Sequence, residues 1–383
     1  MQSKNLSQLL ASTDGWSLGH VVDWLFNEGQ QVIEPVEFTD RLCEKLLESG
    51  APIFRLRIAF RTLHPLVAAC AFTWLQGRDA TEFCLLHEDS REEDLTDLDS
   101  AQPEFKESID TVTLQLKSPV DKPGIISIFT RSPGGFSTED ISKFEILTMF
   151  LSPVINVIAI RRIAKTILDT YIGHRAGGKV LDGLIKRGDG ETIDAVIWYC
   201  DLRDFTLLTE TLARDELLSM LNTYFEYISA AVSEHGGEVL RFIGDAMLIV
   251  FPVDSNVNIS HTCKLALDAA IDILRDLKSV NQQRLQQGYP EIRFGIGLHI
   301  GQVIYGNVGA PDRLDFTVMG AAVNRTARLE ELTKKVGVPL LLSTEFAEHT
   351  EGPVRSMGEF EMRGVTQIQE VFALLPDESL EAT

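Results

Sequence analysis

Cysteine, positive charge and long apolar runs are all scarce in this chain, and each shortage excludes something. The five cysteines, Cys43, Cys70, Cys84, Cys200 and Cys263, are an odd number and contain no CxxC pair. Neither a disulfide framework nor a zinc site is therefore expected, and a reducing cytoplasm fits best. Lysine and arginine total 35 against 56 aspartates and glutamates, a formal charge of -21. That balance argues against a nucleic-acid or anionic-membrane partner, both of which select an excess of basic residues. A phosphate-bearing ligand would need local compensation from metal ions and a few arginines. No apolar run reaches the roughly 18 residues of a membrane span. The nearest stretch, 146–160, is interrupted by Thr148, Ser152, Pro153 and Asn156. The opening MQSKNLSQLLASTDGW has no signal-peptide core, so no membrane span is expected.

What remains is ordinary globular material. At 383 residues with 44% apolar and 24% charged side chains, the chain predicts two domains and a connector. Helical spacing of apolar residues over 16–32 and 36–47 precedes short β-rich runs at 53–60, 70–75, 111–116 and 124–129. The acidic stretch 87–100 reads as a solvated loop. Ser137, with Asp140 three residues on, resembles a capping box opening a long helix. Along it Ile141, Phe144, Leu151, Ile155 and Ile158 form a stripe that suits either a parallel helix pair or packing on the helix's own domain.

Glycines at 173, 177 and 178, then RGDGE (187–191), mark a boundary near 187. Beyond it come a buried strand (192–202), a helix (214–234), and a hairpin of EVLRFI and AMLIVF around Gly244-Asp245. A helix (258–284), FGIGLHIG and QVIYGNV, a helix (321–335) and strands near 338–342 and 369–374 follow. Strands and helices in this order predict an α/β sandwich with a mixed, mainly antiparallel sheet.

Two carboxylates stand where buried strands meet solvent: Asp201 ends an apolar strand and Asp245 sits in the hairpin turn. Each alone has a plain explanation, Gly-Asp being a good turn pair. Together, beside the Arg203–Thr206 loop entering a helix, they suit divalent cations facing a triphosphate. The segments DLRDFTLLTE (201–210), LRFIGDAMLIVF (240–251), IGLHIGQVIYGNVG (296–309) and DFTVMGAAVNRTARLEE (315–331) resemble, in order and spacing, the signatures of class III adenylate and guanylate cyclases.

The resemblance covers about 190–375 and implies residue roles. Asp201, Asp245 and the Leu202 carbonyl would bind two Mg²⁺ or Mn²⁺ ions. The Phe205–Thr206 loop and Gly244 would lie against the phosphates. Asn324 would orient the ribose and Arg328 would stabilise charge on the α-phosphate, with Arg363 at the place of a phosphate-binding lysine. Arg241 stands where adenylate cyclases usually have Lys, and Thr317 at the second base-reading position. A donor-only guanidinium suits the adenine N1 acceptor, whereas guanylate cyclases carry Glu and Cys there. Asp204 replaces a usual Gly. The family builds each site from two subunits, so a homodimer acting on ATP is implied.

The N-terminal part, with RSPGGFSTEDISKFEIL, resembles the end of a GAF-type sensor and names no effector. The resulting organisation is α+β: a GAF-like sensor (15–150), a helical connector (151–186) and a cyclase domain (187–376). A guanylate cyclase and a catalytically silent nucleotide-binding module are the alternatives. GGEV (236–239) points weakly to a diguanylate cyclase, since the GG(D/E)EF pattern is incomplete.

Overall fold

The structure, a computed structural model, describes residues 15–87, 107–117, 123–253, 257–365 and 367–374. The acidic stretch apart from His87 lies outside the described residues. The chain divides into two compact units, Met1–Ile167 and Leu168–Thr383.

In the first unit, α1 (Leu18–Asn27) and α2 (Pro35–Glu48) precede β1 (Arg55–Arg61), β2 (Val67–Leu75), β3 (Arg78–Leu86), β4 (Asp110–Leu116) and β5 (Gly124–Thr130). The strands form an antiparallel sheet in the order β3-β2-β1-β5-β4. The strand β3 escaped the sequence reading, since most of its residues are exposed and give no apolar run. The helix α3 (Thr138–Ile172) follows. Its start is the expected capping box: the Asp140 N–H donates to Ser137 Oγ at 3.1 Å and the Ser137 N–H to Asp140 Oδ2 at 2.9 Å.

Phe144, Leu151, Ile155 and Ile158 are buried in this unit's own core with Trp16, Leu42, Leu56 and Phe72. The stripe is therefore spent on the helix's own domain and is not available to a second helix. Among the described residues α3 is also the one helix that is long and apolar enough to cross a membrane by length and composition. The absence of a disulfide is corrected as well. Cys70 and Cys84 face each other across β2 and β3 and are joined as a disulfide. Hairpin register brought them together, which their separation of 14 residues does not announce.

The second unit opens with the last residues of α3 and α4 (His174–Leu181). It continues through β6 (Gly190–Leu202), α5 (Phe205–Thr211), α6 (Arg214–Glu234), β7 (Glu238–Ile243), β8 (Ala246–Pro252) and α7 (Ile259–Gln286). Then come β9 (Phe294–Ala310), β10 (Arg313–Met319), α8 (Ala321–Val336), β11 (Leu340–Ser343), α9 (Thr344–Ala347), β12 (Val354–Phe360) and β13 (Gln369–Leu374). The sheet runs β12-β13-β11-β9-β6-β8-β7, with β10 paired to β9. Only β9 and β11 pair in parallel among the described strands, so the mainly antiparallel expectation holds.

In the β6 sequence AVIWYC every residue but the half-buried Tyr199 is buried, because both faces are covered. One face joins Trp198, Phe251, Tyr224 and Ile273 in the core under α6 and α7; the other places Ile197 with Val250 and Val303. Burying each such large side chain contributes about 1.5–3 kcal/mol. FGIGLHIG and QVIYGNV are one continuous strand. Its first half alternates Gly295, Gly297, His299 and Gly301 on a single face. That face receives α8: a Cβ on Gly297 would lie 2.7 Å from the Thr326 carbonyl oxygen, and one on Gly301 2.9 Å from Ala322 Cβ. The glycines therefore let a helix backbone settle directly on the strand.

Candidate active site

Asp201 is the penultimate residue of β6, and Asp245 follows Gly244 in the β7–β8 turn. Gly244 has φ +66°, a left-handed conformation that costs glycine nothing. Because β6 and β8 are neighbours, with Cys200 opposite Met247, the two carboxylates meet at one sheet edge. Burial, then the like charge of Asp201 and a hydrogen bond to it, push the Asp245 carboxyl up to about 6. Lys334, near the end of α8, pulls the other way. Two carboxylates pressed together at this edge form a hard oxygen donor set that fits a divalent cation.

The adjacent loop explains the departure at Asp204. Asp204 is the one described non-glycine residue with positive φ, at +58°, which accounts for the usual Gly at this position. Its carboxylate turns to Arg293, with Oδ2 2.6 Å from Nη2. Arg203 points inward, 3.3 Å from Glu330 and hydrogen-bonded to Thr333. Burial drives Glu330 up to about 7 against the pull of Arg203. Glu330, Thr333, Lys334 and Arg203 thus form a layer behind the carboxylates that the sequence reading did not single out, although Glu330 lies within the quoted RLEE. Phe205 and Thr206 begin α5, where the first N–H groups have no intrahelical acceptor. Leu202 is buried and its backbone pairs with Phe294.

A second group forms elsewhere in the same unit. Arg241 on β7 holds Asp315 on β10 at 2.5 Å. Both line a cavity of about 950 Å³. Asp315 and the buried Thr317 share one face of β10 by strand alternation. Asp315 was missed by the sequence reading; its i, i+2 relation to Thr317 is the signal that could have found it. Asn324 is exposed and Arg328 half-buried on α8, where Arg328 pairs with Glu331. Arg363 is exposed between β12 and β13, at the opposite edge of the sheet from β7.

GGEV has a structural use. The Glu238 carboxylate is buried and accepts the Arg175 N–H at 2.9 Å, the Ala176 N–H at 3.4 Å and the Tyr305 hydroxyl at 3.2 Å. It caps α4, and the weak diguanylate-cyclase hint ends there.

Comparison with known proteins agrees with this arrangement. Residues 190–375 match the adenylate and guanylate cyclase catalytic domain. This stretch of the chain belongs to the class III adenylate/guanylate cyclase family. An adenylate cyclase of Anabaena cylindrica is 34% identical over 169 residues, 44% of this chain and 33% of that protein. Adenylate cyclase 1 of Rhizobium meliloti is 30% identical over 181 residues, 46% of this chain and 27% of that protein. The chain thus spans about a third or less of these relatives. A bacterial light-regulated adenylyl cyclase shares the fold, with a TM-score of 0.51 at 19% identity over 84% of this chain and 93% of that one.

Proposed function

We propose that the protein is an adenylate cyclase that converts ATP to 3′,5′-cyclic AMP and pyrophosphate. On this reading it acts as a homodimer in the cytoplasm, with no nucleic-acid partner. The observation that carries the choice of ATP is the Arg241–Asp315 pair lining the cavity, with Thr317 two residues on from Asp315 along the same strand face. A guanidinium offers only donors and meets adenine N1, an acceptor; the Thr317 hydroxyl accepts from the exocyclic amine. Guanine presents a donor at N1 and an acceptor at O6, so the same groups pair poorly with it. Asp315 holds one edge of the guanidinium and leaves another for the base.

Asp201, Asp245 and the Leu202 carbonyl would hold two Mg²⁺ or Mn²⁺ ions. When bound, the ions supply positive charge against the triphosphate and make the ribose 3′-hydroxyl more acidic. Backbone N–H groups at Phe205 and Thr206 donate to phosphate oxygens, with Gly244 keeping the turn clear of side chain. Asn324 orients the ribose. Arg328 sets a permanent positive charge against the α-phosphate oxygens, where charge builds as the bonds exchange. The 3′-oxygen forms a bond to the α-phosphorus, the bond to the bridging oxygen breaks, pyrophosphate leaves with that electron pair, and the hydroxyl proton passes to solvent. Arg363 is assigned to the outer phosphates.

Residues 15–150 are assigned as a GAF-like sensor, with 151–186, the later turns of α3 and then α4, as the connector. Helices before and after an antiparallel sheet of order β3-β2-β1-β5-β4, packed with one face of it in a single core, support this. Its effector stays unnamed.

Specificity constants for ATP and GTP test the substrate. Wild type and Arg241→Lys are expected to prefer ATP, while Arg241→Glu with Thr317→Cys lowers ATP use and admits GTP. A wild type that prefers GTP overturns the assignment, as does a double variant with unchanged selectivity.

A further inference from the structure

The alternating row on β9 contains one side chain among its glycines, His299, and it is only 3% exposed. A helix resting on glycines gains close approach but few interlocking side chains, so little in the row itself resists sliding of α8 along its axis. The polar contacts around His299 supply what the glycines lack. His299 Nδ1 is 2.8 Å from Ser343 Oγ at the end of β11, and Ser343 Oγ also accepts the Phe346 N–H at 3.2 Å. Two residues on, Glu345 lies with Oε2 3.6 Å from the same ring nitrogen, an ion-pair separation too long for a hydrogen bond. Its other oxygen, Oε1, accepts from Arg325 Nη1 at 2.5 Å. Arg325 is the neighbour of Asn324 on α8. The contacts therefore run from the centre of the sheet, through β11 and α9, to the turn of α8 that carries Asn324.

We infer that His299, Glu345 and Arg325 are positioning residues that fix the axial place of α8, and with it Asn324 and Arg328, against the reacting phosphate. The inference rests on the proposed roles of those two residues. The electrostatics agree: the His299 ring, acting against partial burial, then the residue's own backbone N–H and last Arg325 hold the Glu345 carboxyl down at about 2, so it carries its charge at any working pH. None of the three touches substrate on this reading. They act through the helix, and a displacement of about 1 Å at a reacting group can cost up to about 100-fold in rate.

The test uses the full-length chain. Arg325→Gln and Glu345→Gln are each expected to lower kcat for ATP about tenfold or more, the range that small misplacement produces. KM for ATP should change little, because the Arg241 group is on other strands. Tm should also hold, since the pair is part-exposed and such pairs contribute little. The exchange Arg325→Glu with Glu345→Arg should recover much of kcat. His299→Gln should give the same kcat loss, and if it fails to fold the exposed pair still decides the matter. Wild-type kcat in both single variants overturns the inference. So does a loss of kcat that follows a fall in Tm and is not recovered by the exchange. Asn324→Ala measured alongside separates the two levels: if it too leaves kcat intact, the role of Asn324 is wrong; if it alone lowers kcat, only the positioning network is.

Discussion

Mixing two inactive variants should restore cyclase activity. In one chain the carboxylate pair and the transition-state residues do not stand together. Lys334 is within electrostatic reach of Asp245, which places the C-terminal end of α8 beside the carboxylates. Glu330 is within electrostatic reach of Asp201 as well, and Arg328, two residues before it, is turned about 200° away round the helix, while Asn324 is ~9 Å back from Glu330 along the axis. Long helical side chains lean toward the N-terminus, which carries Arg328 farther away. Arg241 is four residues before Asp245 on β7, ~13 Å along the strand. Groups acting on one α-phosphate need to lie within about 3 Å of it or of its partners.

On the proposed function the two sets serve different sites, each completed by a second copy. Asp201→Ala spoils the carboxylate half and Arg328→Ala the other. A two-fold dimer that exchanges freely at equal concentrations puts about half of the protein into heterodimers, each with one wholly wild-type site. Since a wild-type dimer has two sites, the mixture should reach about a quarter of the wild-type rate. Cyclic AMP formation at saturating ATP and Mn²⁺ gives the rate, and energy transfer between differently labelled chains reports exchange. Full exchange with activity no higher than that of the separate variants would refute the shared site.

Two further outcomes follow from the same edge of the sheet. Asp201→Asn and Asp245→Asn should each reduce cyclic AMP formation by about 100-fold or more with the circular dichroism spectrum and Tm retained, because a cation-binding charge is lost where the fold is tolerant; near-normal turnover at saturating Mn²⁺ contradicts the assignment. Asp204→Gly should leave both turnover and stability nearly unchanged. It relieves a left-handed residue worth about 1 kcal/mol but gives up an exposed ion pair worth about 0–1 kcal/mol. A Tm fall of more than about 8 °C, or a tenfold change in KM for ATP, shows instead that the carboxylate acts on the fold or on the triphosphate.

Much of the second unit was legible because local signals and tertiary demands coincide there. EVLRFI-GD-AMLIVF is a hairpin by its turn and by its apolar arms, and the structure has β7, β8 and the turn at those residues. The helix read over 214–234 is α6 to the residue. Where burial depends on a distant partner, the sequence is silent. The strands β10 and β12 have several exposed residues each and exist because β9 and β13 offer them edges. The Asp201–Asp245 pair was legible as two ends of strands, but Arg203, Glu330 and Lys334 behind it were not. Their partnership needs β6, β9 and α8 in one place. The stripe on α3 shows the same limit from the other side, since spacing defines a face without saying what covers it. Phe144 and Leu151 found their cover inside their own unit.

Glycine is the residue whose use in this sheet the sequence shows least. FGIGLHIG and QVIYGNV read as two successive runs, and isolated glycine weakens a strand. Yet β9 runs unbroken from Phe294 to Ala310 and pairs with β6 from Leu202 to Gly190. The entropy that glycine loses in a strand is offset by what its missing side chain admits. A Cβ at Gly295 would press on the Arg203 guanidinium and the Thr333 hydroxyl and lie 2.5 Å from Glu330 Oε1, so any larger residue would displace the side chains that pair Glu330 with Arg203. The glycines of this motif are thus part of the active-site construction: they set how near α8 comes to the sheet, while His299 among them reaches the contacts that set where along the sheet it stops.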